Sequence, residues 1–410
     1  MTESLVNIDR RVDECLDVEA MVAACQEVVR TPSLSGQETE VAAVFVRHLQ
    51  ALGFDEVDID ANGNVIAHLR GRGQGPSLMV NGHMDHVPTG AMVSPFSGAL
   101  VEGTQWEEPG PAIFGRGTCD MKCNVMASAF AIAAIRRAGI ALRGDVVFVA
   151  DVQEEVDSPA GVKSVIERGI RADFGLSTES TECHAYVGHR GKLEFEVVVH
   201  GRTSHAAQPA CGLNAVFQAV PLLEKLATFG ATLPSDRLLG DATITVTGLR
   251  SSPDNNTAVI PDACHLRIDR RYVRSETPQK CEDELRQLLG QIAAADPQFR
   301  ADLRLANHYP LMYVDPATSI VTAAQEAIKE AAGSAGEKST WRYVAAEVGA
   351  WRFGVNGTFM CEAGVPTVGI GPGNEKWAHT PQEHVGIAQL ERTCRIWTRL
   401  IVHVCGVASS

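Results

Sequence analysis

The apolar run in "LMVNGHMDHVPTG" (Leu78 to Gly90) stops abruptly on His83 and Asp85, and similar endings recur along the chain. "VVFVADVQ" runs into Glu154 and Glu155, "ADFGLST" into Glu179, and "VPTVGIGPG" leads to "NEKWAHTPQEH" with His379. "GRGTCDMK" places Asp120 just before an Ala-rich segment. Each residue alone reads as surface charge or a helix start; their joint placement at the ends of apolar runs favours one site. Two imidazoles and several carboxylates, with no paired-thiolate pattern, suit zinc or another divalent first-row cation. The number of acids points to two ions, because dinuclear sites hold their metals only about 3.5–4 Å apart. Asp85 lies two residues beyond His83, a spacing that returns to the same strand face, so its carboxylate can orient the imidazole. Glu154 and Glu155 are neighbours and point oppositely from an extended segment. One can bind metal while the other stays free as a general base.

Such a site needs a scaffold that brings distant segments to one edge. "NVIAHL", "SLMV", "DVVFVADV" and "ADFGLSTES" are short apolar strands. They are separated by helices such as "MKCNVMASAFAIAAIRRAG" and "PAGVKSVIERG", and by one that a "SGQE" capping box (Ser35 to Glu38) would start. This order predicts an α/β fold, a mixed and mostly parallel sheet with helices on both faces. Open sheets of that kind bind ligands at the carboxyl ends of their strands. After Glu179 the rhythm changes to β-α-β-β-α-β, from "KLEFEVVVHG" to "ADLRLANHYP", the order of a ferredoxin-like unit. We therefore expect an inserted α+β domain over residues 187–308, inside a catalytic domain made of 1–186 and 309–410. "AAGSAGEKS" reads as a surface loop.

Bulk properties exclude several functions. The 410-residue chain carries a net charge of -14, which disfavours nucleic acid and anionic membranes as partners. Its 11 cysteines are odd in number, and "CDMKC" lacks the second pair that a structural zinc site needs. A reducing, cytoplasmic location is the expectation. The first residues are polar and acidic, unlike a signal peptide, and no apolar run approaches the roughly 20 residues that span a bilayer. "GRGQG" and "GPGNE" lack the G-x-G-x-x-G spacing and setting of a dinucleotide site.

"GHMDHVP", "GRGTCDMK", the paired acids, "STE" and "GPGNEKWAHTPQEHV" occur in a characteristic order from about residue 20 to 405. In this the chain resembles the dinuclear metallohydrolase family of acetylornithine deacetylase, succinyl-diaminopimelate desuccinylase, aminoacylase and glutamate carboxypeptidase. The resemblance implies His83 and Glu179 on one metal, Glu155 and His379 on the other, and Asp120 bridging both. It implies Glu154 as the base acting on a bridging water, with Asp85 supporting His83. Two zinc ions, or manganese or cobalt, are the implied cofactors. It further implies a homodimer formed through the inserted dimerisation (lid) domain. There "GRTSHAAQP" offers His205 to the partner's site, and "IDRR" offers Arg270 to the substrate's carboxylate.

The expected activity is hydrolysis of an amide C–N bond in a small carboxylate-bearing substrate by a metal-bridging hydroxide. Two rivals stand beside it, an aminohydrolase releasing ammonia and a non-catalytic metal-binding module. The chain departs from the family pattern at Cys123 and Asn124 after "DMK" and at Ala258 before "VIP", with Asn255 and Asn256 out of register. "GVNGTF" (Asn356) replaces an Asp-containing loop. None of these touches an expected ligand, so what they bear on is the substrate pocket.

Overall fold

The computed structural model describes residues 4–106, 108–253, 258–334 and 347–408. Asn255 and Asn256 lie outside the described residues, as does "AAGSAGEKS" beyond its first four residues, which end the helix Ser319–Ser334. The chain divides into two compact units. One comprises Met1–Gly188, Tyr313–Ala350 and Val355–Ser410; the other comprises His189–Met312 and Trp351–Gly354.

In the first unit, four neighbouring strands run parallel in the spatial order Val146–Asp151, Leu78–His83, Phe174–Ser177, Thr367–Gly369. All six residues of Leu78–His83 and of Val146–Asp151 are buried. Strands covered on both faces show continuous apolar runs rather than alternation, as these do. The covers differ. Val147 and Val149 meet Val162, Val165 and Met360 on one face, while Phe148 meets Phe45 and Phe54 on the other. The parallel part is narrower than expected. Glu56–Ile59 and Val65–Leu69 join antiparallel on one side, because the tight turn closed by Asp60 and Asn64 reverses the chain. Tyr186–His189 joins antiparallel on the other side. Helix Cys123–Arg137 is buried almost all round, as an apolar-all-round helix must be. A small sheet of Ala99–Glu102, Pro111–Phe114 and His384–Gly386, absent from the sequence reading, stands apart.

The second unit is an antiparallel sheet in the order Thr243–Ser252, Ala263–Tyr272, Gly191–His200, Arg300–Tyr309. Helices Ala215–Phe229 and Pro278–Ala295 contribute Leu222, Leu226, Leu285 and Ile292 to a core with Leu193, Phe195, Val197 and Val199. This is the ferredoxin-like β-α-β-β-α-β arrangement. Asn214 and Thr277 cap the two helices by accepting from Val216 N (2.9 Å) and Lys280 N (3.2 Å). Among the described residues no helix is long and apolar enough to cross a membrane.

Candidate metal centre

Strand register decides where the polar residues emerge. His83 pairs with Asp151, and Asn81 and Gly369 both pair with Ser177. His83, the turn carrying Glu154 and Glu155, Glu179, and the segment leading to His379 therefore all leave from the carboxyl edge of the parallel strands. Asp120 reaches the same place from the irregular turn Thr118–Lys122, which enters helix Cys123–Arg137. Close backbone approach is part of the design. A Cβ on Gly371 would stand 2.2 Å from Glu179 O, so no other residue fits there.

The contacts fall into two sets joined by one carboxylate. Asp120 Oδ1 lies 3.0 Å from His83 Nε2, and its Oδ2 lies 3.0 Å from His379 Nε2. His83 Nε2 is also 3.5 Å from Glu179 Oε1, and His379 Nε2 is 3.0 Å from Glu155 Oε2. Glu154 Oε2 is 4.0 Å from His83 Nε2. His83 Nδ1 faces Asp85, 3.1 Å from its carbonyl oxygen and 3.4 Å from Oδ1, which leaves Nε2 to face the carboxylates. His379 has the left-handed φ of 62°, a conformation that costs a non-glycine residue about 1–3 kcal/mol and concentrates at functional sites.

The side chains alone carry a negative balance, with Asp85, Asp120, Glu154, Glu155 and Glu179 against two imidazoles. Burial, with Glu179, Glu155 and Asp85 nearby, holds the Glu154 carboxyl well above its ordinary value. Burial also lifts Glu179 to about 7. Hydrogen bonds to Asp120 and Glu155 raise His379 to about 10. Burial opposes a charged His83, yet Asp120, Asp85 and Glu179 raise it well above the usual histidine range. A buried carboxylate excess with two imidazoles whose Nε2 atoms face it is the donor set that divalent cations require. His83, Asp120 and Glu155 alone already bring ligand atoms within 4.8 Å of one another.

Two local expectations are corrected. Glu154 and Glu155 do not sit on an extended segment. They form a short 3-10 turn, Glu154–Val156, flanked by Gln153 and Asp157 at φ 57° and 53°. "SGQE" is no capping box: Ser35 donates to Asp85 Oδ2 (2.6 Å), and Glu38 accepts from Gly36 N and Gln153 N. Asp85 also accepts from the backbone N–H groups of Glu154 (3.0 Å) and Glu155 (3.2 Å). Asp85 thus orients His83 through its carbonyl oxygen as well as its carboxylate, and its carboxylate fixes the turn bearing both glutamates. Asp85→Ala is expected to weaken metal binding about 10–100-fold, read as metal content after dialysis against graded chelator.

The family departures have work of their own. Asn124 Nδ2 donates to Cys119 O (3.2 Å), Thr178 O (3.0 Å) and Pro372 O (3.2 Å), tying together the segments that carry Asp120, Glu179 and His379. Cys123 is buried against Cys25. Glu383, four residues past His379, is buried and accepts from Arg116, Gly117 N and Asp120 N. Sequence reasoning assigned neither Asn124 nor Glu383 to the site, and for Glu383 the only available signal was its place inside the His379 motif.

Asn356 donates to the buried Asp151 (2.6 Å), which explains the missing Asp there: a second carboxylate would abut the first. Burial pushes Asp151 up to about 7. Between pH 4 and 7 the folded chain holds a proton that the unfolded chain has released, so stability falls as pH rises through that window. The integrated loss is about 4 kcal/mol. Asp151→Asn is expected to flatten this fall, measured as thermal midpoint against pH.

His205 and Arg270 belong to the other unit. His205 is exposed, its Nδ1 accepting from Ala207 N (3.0 Å), and Ala258 O receives the neighbouring Ala206 N (2.8 Å). Arg270 lacks the exposure that its expected role needs. Strand alternation turns it inward with Leu266, Ile268 and Tyr272, where it pairs with Glu276. Arg271 faces the opposite side, held by both oxygens of Asp269 (2.8 and 3.0 Å).

The family model described as Peptidase family M20/M25/M40 matches residues 79–403. The chain is 30% identical over 391 residues to the uncharacterized protein YgeY of Escherichia coli K12, covering 91% of each. It is 25% identical over 350 residues to the acetylornithine deacetylase of Myxococcus xanthus, covering 84% of each. A dinuclear metal-binding peptidase of the M20 family from Bacillus subtilis shares the fold with a TM-score of 0.66 at 20% identity, over 95% of this chain and 99% of that one.

Proposed function

Because the chain belongs to peptidase family M20/M25/M40, we propose that it is a dinuclear metal-dependent hydrolase cleaving the amide bond of a small carboxylate-bearing substrate. An N-acyl amino acid or a dipeptide is the substrate class; the acetylornithine deacetylase among its relatives supports an acylated amino acid. The observation that carries this reading is Asp120, whose two oxygens each stand 3.0 Å from a different imidazole. In it His83 and Glu179 would hold one cation, Glu155 and His379 the other, and Asp120 would contribute to both. The two cations, zinc in this reading with manganese or cobalt as substitutes, supply the charge that brings the pKa of water toward ~7 and offsets an oxyanion. Glu154 accepts the proton of the attacking water and delivers it to the leaving nitrogen. Asp85 keeps His83 and the Glu154 turn in register.

Two copies associate through the second unit in this reading, covering Phe217 and Val220, which are 73% and 42% exposed on helix Ala215–Phe229. His205 then enters the partner's site to hold the oxyanion. His205→Asn is expected to lower kcat about 10²–10³-fold. Mixing it with Glu154→Gln chains should restore activity that neither has alone, since one site of each hybrid keeps both groups. No recovery on mixing would overturn the shared site.

The test of the activity is a zinc-, manganese- or cobalt-replete assay against N-acyl amino acids and dipeptides, with free amine and ammonia read separately. New amine that disappears in Glu154→Gln supports the reading. Ammonia without a second organic fragment would replace amide cleavage with deamination.

A further inference from the structure

The open face of the second unit's sheet has a local excess of positive charge on a chain whose net charge is -14. Cross-strand register lines up one row as Gly248, Arg267, Glu196, Arg304, and the next as Arg250, His265, Val198, Asp302. The four strands carry four acidic residues, and each already has a basic partner of its own. Glu196 pairs with Arg304, Asp302 with His200 (2.8 Å), Asp269 with Arg271 (2.8 Å) and Glu194 with Lys192 (3.6 Å). Arg250, His265 and Arg267 are left over, with no ion-pair partner among the described residues. They line a cleft of about 410 Å³ together with Glu196, Gly248 and Leu249.

The shape of the cleft follows from Gly248. A register shift between Val246 and Gly248 sets the glycine opposite Arg267, and a Cβ there would meet the Arg267 stem at 3.6–3.9 Å. The missing side chain leaves a notch beside the stem of Arg267, an exposed residue. Glu196 does not neutralise the corner. Arg304 first, then Arg267 and His265, hold its carboxyl below the ordinary value, so it is the acid that is over-supplied with cations.

We propose that this cleft binds a small anion of phosphate type carrying two or more negative charges, held between Arg250 and Arg267 with His265 beside them. Guanidinium groups match phosphate oxygens in pairs and retain their charge at any physiological pH. The site lies within one unit and does not depend on the hydrolase reading.

The experiment is calorimetric titration of the metal-loaded protein with inorganic phosphate at physiological salt. Glycerol 2-phosphate run in parallel separates a free anion from an ester. Wild type is compared with Arg250→Gln/Arg267→Gln and with Gly248→Val, which fills the notch without altering charge. Phosphate bound at the metal centre is common to all three proteins and cancels in the comparison. A saturable component of one anion per chain, weakened at least about tenfold in both variants, is expected, with KM for the amide substrate unchanged. Identical titrations for wild type and the double variant, or only non-saturable heat, would overturn the proposal.

Discussion

Replacing Glu154 by Gln is expected to lower kcat about 10²–10⁴-fold, the usual contribution of a positioned proton acceptor, while both cations remain bound. The carboxylate stands 4.0 Å from His83 Nε2, beyond the 3.0–3.5 Å at which Asp120 and Glu179 approach the same atom. It therefore borders the ligand set instead of completing it. The amide of Gln keeps its shape and the backbone N–H bond to Asp85 but accepts no proton. KM should change little, because the loss falls on a proton transfer rather than on substrate binding. Metal content and kcat must be measured on the same preparation. Full metal content with undiminished turnover would remove Glu154 from the mechanism.

Asp120→Ala should abolish turnover and deplete both cations together. Each oxygen of this carboxylate faces a different imidazole, so under the proposed assignment its loss would remove a ligand from two positions at once. The affinity loss should exceed the about 10–100-fold that follows from losing an outer partner such as Asp85. Folding should survive, since the substitution also relieves a buried carboxylate cluster of like charge. The decisive measurement is metal per chain at fixed free metal, with circular dichroism as the folding control. A variant that retains one tightly held cation would show that Asp120 serves a single position.

Much of the centre was legible because its signals are local. An apolar run that ends on His83, on Glu154 and Glu155, or on Glu179 is visible in the residues themselves, and so is the change of rhythm after Glu179. The two-unit organisation follows from those periodicities, and the hydrolytic family from the order of the motifs. Less was legible about the residues that hold these side chains in place. Asn124 and Glu383 work through bonds to backbone atoms of other segments, and nothing in their own neighbourhood announces this. Arg270 and Arg271 show the same limit: adjacent arginines look alike in sequence, and strand alternation turns one into the core against Glu276 and the other outward.

By itself, then, the sequence determined the residue types, the strand ends that bear them, and the family to which those motifs belong. These depend on side-chain chemistry and short-range periodicity. The tertiary structure alone decided that Asp120 lies between the two imidazoles and that Asp85 clamps the Glu154–Glu155 turn. It also decided that Ser35 and Glu38 brace that turn instead of capping a helix. Those outcomes depend on register between strands far apart in the chain and on loop conformations at positive φ, which are set by packing and not by neighbouring residues.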